Sequence, residues 1–97
     1  MHVIDNPAEL RYELTEDGER IGELRYRLEP GVVVLVHTEV DPAHEGRGLG
    51  TVLIRGALDD IRARGLELTP LCPFVRAYIA RHPEYRDLVV ADPAVSD

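Results

Sequence analysis

The sequence has no lysine, no tryptophan and only one cysteine, and each shortage excludes a class of structure or chemistry. A lone cysteine cannot form a disulfide within the chain and is typical of a reducing compartment. Without lysine there is no phosphate loop of the Gly-Lys-Ser/Thr kind. No apolar run approaches the roughly 20 residues of a membrane span, and acidic residues and proline interrupt the start where a signal peptide would be apolar. We therefore expect a cytoplasmic protein.

Positive charge is scarce in the first half of the chain. Residues 1–45 carry eleven acidic residues against four arginines, whereas residues 46–97 carry seven of each. Nucleic-acid binding requires a basic face, so this distribution argues against it. An acidic face either keeps the protein soluble or attracts a cationic substrate such as an amine. The histidines, the cysteine and the acidic residues show no metal-ligand spacing, and we predict no metal site.

The first forty residues predict an antiparallel meander of three strands. Residues 10–14 alternate apolar and polar side chains, Asp17-Gly18 supplies a tight turn, and residues 21–28 complete a hairpin. A second turn at Pro30-Gly31 leads into a strand from Val32 to about Val40. The first five residues of that strand are all apolar, which predicts that both of its faces are covered there.

From residue 49 the apolar spacing becomes helical, and Gly65 is placed to cap the end of that helix. Residues 66–71 then predict a short strand. Because a helix connects it to Val32–Val40, we expect the two strands to be parallel. Cys72 is the expected N-cap of a second helix, since Pro73 suits the first helical position.

The tail contains one more short apolar segment at residues 88–90, which predicts a final strand. The pattern as a whole predicts a single mixed α+β domain over residues 1–97. Its expected order is the meander, a helix, a parallel strand, a second helix and the final strand.

The segment Glu45-Gly46-Arg47-Gly48-Leu49-Gly50 joins the third strand of the meander to the first helix. Its glycines let the backbone approach a ligand closely, and the helix start offers free N–H groups at a positive dipole end. A dinucleotide fingerprint needs different glycine spacing and a parallel sheet. The segment, hereafter the glycine loop, therefore predicts an anion site of another kind, or else a tight joint without a ligand.

The order of elements around the glycine loop resembles the GNAT superfamily of acyl-CoA-dependent N-acetyltransferases. The family motif Arg/Gln-x-x-Gly-x-Gly/Ala is matched by Gly48 and Gly50, with Glu45 where the family usually has Arg or Gln. Arg47 offers an alternative positive charge. The sequence Cys-Pro-Phe-Val at residues 72–75 resembles a small single-domain subgroup, and the similarity extends over residues 10–89.

The resemblance implies acetyl-CoA as co-substrate and an amine acceptor, either a small molecule or an amine of a protein or peptide. It places the diphosphate of CoA on the N–H groups at the helix start and the pantetheine arm beside the end of the preceding strand. The expected cofactor-binding residues are Thr38, Val40, Glu45, Gly46, Arg47, Gly48, Leu49, Gly50 and Thr51.

Three residues are candidates for catalysis. Glu39 is placed to accept a proton from the acceptor amine, if it is not simply a solvated carboxylate. Cys72 at a helix start has the position of a reactive thiol, as an acetyl carrier or as an acid toward the leaving sulfur, although free cysteine is often a small core residue. Tyr78 matches, by resemblance, a tyrosine that serves as general acid, and a core role is its alternative.

The leading functional hypothesis is an acetyl-CoA-dependent N-acetyltransferase that works by direct attack in a ternary complex. A second hypothesis is a CoA- or acyl-CoA-binding module with little turnover. A third is an interaction domain that binds no CoA.

Overall fold

The computed structural model describes residues 1–90 and contains one five-stranded sheet. The sheet order is β1-β2-β3-β4-β5, antiparallel from β1 to β4 and parallel between β4 and β5. The elements in chain order are β1 (His2–Asn6), β2 (Arg11–Glu16), β3 (Glu19–Glu29), β4 (Val32–Val40), a 3₁₀ helix (Pro42–His44), α1 (Leu49–Ala63), β5 (Glu67–Pro70), α2 (Pro73–Arg81) and a second 3₁₀ helix (Pro83–Leu88).

The predicted turns and the α+β fold class are confirmed, but the prediction of three antiparallel strands is one short. Asp17 and Gly18 both have positive φ, 52° and 79°, as a tight hairpin turn of the primed type requires. The strand that the sequence reading missed is β1, whose five residues pair with β2. Ile4 in this strand is exposed, and turn residues follow closely. The sequence of β1 therefore shows no regular alternation of apolar and polar side chains.

Helix α1 covers one face of the sheet and supplies much of the core. Its buried residues recur at the helical spacing, and Gly65 follows its end with a φ of 69°, as predicted for the cap. These side chains pack against buried residues of β2, β3 and β4. The buried residues of α1 are Leu49, Leu53, Ile54, Ala57, Leu58 and Ile61.

Strand β4 is irregular at its centre, where its register with β3 shifts and its pairing with β5 ends. Leu35 pairs with Tyr26 and His37 pairs with Arg25, so Val36 forms a β-bulge. The parallel pairing with β5 also ends at Leu35, whose carbonyl accepts the N–H groups of residues 71 and 72, each at 3.0 Å. Beyond this point β4 is no longer paired with β5, and a cleft lies between the end of β4, the glycine loop and the start of α2.

The segment after α2 differs from the prediction of a final strand at residues 88–90. Residues 83–88 form a 3₁₀ helix whose Tyr85 and Leu88 are buried in the core. Only a single parallel bridge joins Val89 to Leu68, followed by a hydrogen bond from Val90 N–H to the Leu68 carbonyl. None of the helices in residues 1–90 is long and apolar enough to cross a membrane.

Candidate active site

The glycine loop leads into α1 through a left-handed N-cap. Gly46 and Gly48 have φ values of 85° and 71°, which strain any residue with a side chain. Gly48 is the N-cap of α1, and no side chain caps the helix or adds an acidic residue to its first turn. The first N–H groups of α1 therefore have no capping side chain and no acidic residue in their own turn, which is the arrangement that favours a bound anion.

A cleft of about 340 Å³ lies between the glycine loop, the end of β4 and the start of α2. We call it the loop cleft. It runs from the first turn of α1 to Thr38, and the ring of Phe74 borders it from α2. Its lining residues are Thr38, Val40, His44, Glu45, Gly46, Gly48, Leu49, Gly50 and Phe74.

A second cleft of about 570 Å³ lies along the ends of β3 and β4. This strand cleft shares Thr38, Val40 and Glu45 with the loop cleft, so the two meet at the end of β4. It is acidic, because four carboxylates face one arginine in its lining. Its residues are Arg20, Ile21, Gly22, Glu23, His37, Thr38, Glu39, Val40, Asp41, Pro42 and Glu45.

The thiol of Cys72 lies behind this meeting point, at the N-cap of α2. It is buried, and its Sγ is 3.4 Å from Thr38 Oγ1. Burial alone would raise the pKa of the thiol, but the Thr38 hydroxyl and the N–H groups of Val75, Phe74 and Thr38 favour the thiolate more strongly, so the pKa of Cys72 is lowered. The sulfur makes no capping hydrogen bond of ordinary geometry, so these N–H groups act chiefly as nearby dipoles.

The family model described as GCN5-related N-acetyltransferase matches residues 11–88, which is most of the chain. The chain belongs to the GCN5-related N-acetyltransferase family. The family predicted from the glycine loop is thereby confirmed, and the protein is an enzyme of the acetyltransferase class.

Solved structures of acetyltransferases share this fold. A GCN5-like protein of Staphylococcus aureus, determined in solution by NMR, has a TM-score of 0.69 at 18% identity, over 97% of this chain and 92% of that one. The ribosomal-protein-S18-alanine N-acetyltransferase of Escherichia coli has a TM-score of 0.55 at 27% identity, over 61% of this chain and 39% of that one. The ribosomal-protein-alanine N-acetyltransferase of Brucella melitensis biovar Abortus 2308 has a TM-score of 0.53 at 21% identity, over 90% of this chain and 67% of that one.

Most of the expected cofactor-binding residues of this acetyltransferase line the loop cleft together. The exceptions are Arg47 and Thr51. Arg47 is not in the lining of the cleft, although its guanidinium lies 2.9 Å from Nδ1 of the lining residue His44. It binds Glu16 through two hydrogen bonds, of 2.8 and 3.2 Å, and this hydrogen bonding lowers the pKa of Glu16. Thr51 is exposed on the first turn of α1. The charge of Arg47 is therefore already compensated within the protein, and the role of the loop in anion binding depends on its N–H groups.

The three candidate catalytic residues are not brought together. Glu39 lines the strand cleft with an exposed side chain, so the partial burial expected for a base is absent. Tyr78 lies in the core, where its ring stacks on His82 at a centroid distance of 4.1 Å, and burial raises the pKa of Tyr78. It belongs to the lining of neither cleft in the described part of the chain. Cys72 alone contacts the meeting point, through Thr38.

Phe74 does not share the buried face of α2 with Tyr78 and Ile79, although its spacing from them would allow it. The side chain is 55% exposed, and its ring borders the loop cleft. Val75 in the same turn is buried, so the core covers that side of α2 and leaves the ring of Phe74 outside it. The available signal was the position of the only phenylalanine, directly after the Cys-Pro pair at a helix start.

Replacement of Thr38 by valine tests the polar environment of the thiol. Thr38→Val keeps the side-chain shape but removes the hydroxyl donor, so the pKa of Cys72 should rise. Because the chain has a single cysteine, the thiolate absorbance near 240 nm reports this group alone below the range in which tyrosine ionises. We expect a wild-type midpoint below that of a free cysteine peptide and a higher midpoint in the variant. Equal midpoints in the two proteins would contradict the assignment.

The same shift has a consequence for folding stability. A thiol whose pKa is lower in the folded state is deprotonated there first, so between the folded and unfolded pKa values the unfolded chain binds more protons. Stability should therefore rise with pH across that window, and the contribution should be lost as pH falls through the folded pKa. Cys72→Ala should remove this part of the pH dependence in urea titrations.

Proposed function

We propose that the protein transfers an acetyl group from acetyl-CoA to an amine by direct attack within a ternary complex. The observation that carries the proposal is the contact between the two clefts at Thr38 and Val40. One cleft ends at unpaired helix N–H groups suited to a diphosphate, and the other is acidic and suited to an amine. Substrates bound in the two clefts would meet at the end of β4, and positioning of this kind supplies a large share of catalysis.

Acetyl-CoA would bind along the loop cleft. Its diphosphate would accept hydrogen bonds from the first N–H groups of α1, and its pantetheine arm would follow the gap between β4 and α2. Beyond the β-bulge, the backbone of β4 is no longer paired with β5, which leaves its polar groups on that side available to the pantetheine amides. The thioester would then lie near Thr38.

The acceptor amine would bind in the strand cleft. Glu23 is already paired there with arginines, including Arg20 at 3.1 Å. Within residues 1–90, the ion pairs leave Glu39, Asp41 and Glu45 without a cationic partner. This excess of negative charge attracts an ammonium group. The exposure of the three side chains indicates an amine that protrudes from its carrier.

The chemistry then needs three proton transfers. The amine loses a proton before attack, and Glu39 is placed to accept it, directly or through water. The amine nitrogen forms a bond to the thioester carbonyl carbon, the bond from that carbon to sulfur breaks, and the nitrogen gives its second proton to water. Cys72 lines neither cleft in the described part of the chain, so it would protonate the leaving sulfur by way of the Thr38 hydroxyl that its thiol contacts, and it would regain its proton from solvent. The products are an amide and free CoA.

Replacement of Cys72 separates this scheme from a covalent one. In direct transfer, Cys72→Ala should lower turnover by about 10²-fold without abolishing it, the low end of what loss of an acid catalyst costs, and intact mass spectrometry should find no acetylated protein after mixing with acetyl-CoA. An acetyl adduct on the wild type that is absent in Cys72→Ala, with turnover abolished, would show transfer through the thiol instead. CoA release measured by a thiol reagent over a panel of amines provides the rate.

A second candidate function is a CoA-binding module with little turnover. The exposure of Glu39 and the core position of Tyr78 favour it, because they leave Cys72 as the only candidate catalytic group in contact with the meeting point. Calorimetry and CoA release together decide between the two functions. Tight acetyl-CoA binding without CoA release over the amine panel would establish the binding module.

A further inference from the structure

The ring of Phe74 lines the loop cleft, along the path that acetyl-CoA would follow. It is a large apolar side chain with more than half of its surface exposed, whereas the neighbouring Cys72 and Val75 are buried. A single exposed apolar side chain is ordinary on a protein surface, but a ring in the wall of a cleft can cover a ligand with apolar surface. The place of this ring in the cleft lining therefore makes it a candidate ligand contact.

The ring also accounts for one glycine of the loop. A Cβ placed on Gly50 would lie 3.3 Å from Cζ of Phe74 and 3.4 Å from its Cε1, a close contact that the ring can relieve only by a shift of a few tenths of an ångström. Gly50 lies inside α1 and has no positive φ, in contrast to Gly46 and Gly48. The backbone conformation at residue 50 therefore does not require glycine. The nearest group that a side chain at this position would meet is the phenyl ring.

These contacts place the ring between the two ends of the proposed ligand. Phe74 touches the first turn of α1, where the diphosphate would bind, and it is two residues from Cys72, where the thioester would lie. Any chain that connects the two ends within the loop cleft passes the ring. The segment of acetyl-CoA in that position is the pantetheine arm.

On the basis of the proposed function, we infer that Phe74 is the wall that binds the pantetheine arm and that Gly50 is kept without a side chain to hold the ring in place. The pair makes the loop cleft selective for ligands that carry a pantetheine arm over nucleotides that carry the diphosphate alone. Phe74 contributes to binding and positioning, and it takes no part in proton transfer.

Two ligands distinguish this wall from the diphosphate site. CoA carries both the diphosphate and the arm, whereas adenosine 3′-phosphate 5′-diphosphate carries the diphosphate without the arm. In calorimetry, Phe74→Ala should raise the Kd for CoA about tenfold, a typical cost of truncating an aromatic contact, and leave the Kd for the diphosphate nucleotide within twofold. In turnover, KM for acetyl-CoA should rise while kcat stays within about twofold.

Leu71→Ala is the matched control. Leu71 is also an exposed apolar residue, at 46%, and lies three positions away, but it lines neither cleft in the described part of the chain. Its truncation should leave both dissociation constants unchanged. Thermal melts of the two variants confirm that each is folded, and the exposure of both side chains predicts small changes in Tm.

A double-mutant cycle tests the role of Gly50. Gly50→Ala should weaken CoA binding about fivefold in the wild type by displacing the ring, and should have no effect in the Phe74→Ala background. Equal weakening of both ligands in both backgrounds would show that Gly50 serves the diphosphate and would overturn the inference. An unchanged Kd for CoA in Phe74→Ala would overturn it as well. A wild type that binds neither ligand would instead refute the proposed function.

Discussion

Gly50→Glu should abolish measurable acetyl-CoA binding, with a rise in Kd of at least about 100-fold. A Cβ at residue 50 points toward Phe74 and the loop cleft, so the new carboxylate would lie where the diphosphate is proposed. Like charges brought together in a binding site cost several kcal/mol, and each factor of ten in Kd corresponds to ~1.4 kcal/mol. Isothermal titration calorimetry at low salt measures the effect.

The fold should tolerate this change well. Residue 50 lies in the first turn of α1, where a carboxylate is favourable to the helix dipole, and its φ is not positive. Gly48 is less suitable, because its φ of 71° would strain any replacement and mix a folding defect with the binding defect. Gly50→Gln is the matched control, since it has the same size without the charge. If Gln and Glu weaken binding equally, the diphosphate is not at this helix start.

Gly56→Leu should destabilise the protein by about 3 kcal/mol, at the upper end of typical overpacking costs. Gly56 lies in the middle of α1, and a Cβ there would be 2.7 Å from both Cβ and Cγ2 of Val3 on β1. Strand β1 would have to move off the helix. That movement would also break the hydrogen bond from Tyr26 to Asp5, of 2.6 Å, and the ion pair of Arg64 with Asp5. Urea unfolding gives the free energy.

A second substitution, at Val3, separates the collision with that residue from other effects of the new leucine at residue 56. Val3→Ala should cost little by itself, because Val3 is only partly buried. In combination with Gly56→Leu it should restore part of the lost stability, since it removes the methyl groups that the leucine strikes. Additive losses in the double variant would show that the methyl groups of Val3 do not cause the loss, and would leave only its Cβ, which alanine keeps, as the point of collision on this residue.

Much of the fold could be predicted because local chemistry and tertiary packing agree there. The Asp17-Gly18 turn, the Gly65 cap and the Cys72 N-cap each depend on a residue suited to one backbone conformation. The apolar spacing of α1 fixes the face that it buries. Strand β1 was missed because it is an edge strand with few buried side chains, and its position depends on contact with α1 through Gly56.

The site was predictable only where the backbone defines it. The glycine loop can be recognised in the sequence by its residue types, and the family comparison confirms the class of protein that the loop indicated. The surroundings of a side chain could not be predicted in this way. Whether Phe74 is exposed, Tyr78 is in the core or Arg47 is paired with Glu16 depends on residues distant in sequence. No local pattern carries that information.

A crystal structure of the protein with bound CoA tests the central claim most directly, because it locates both ends of the ligand. The account predicts diphosphate oxygens within hydrogen-bond distance of the N–H groups at the start of α1, and the sulfur of CoA beside Thr38. A diphosphate bound away from α1, or a thiol end that leaves the gap between β4 and α2, would contradict it.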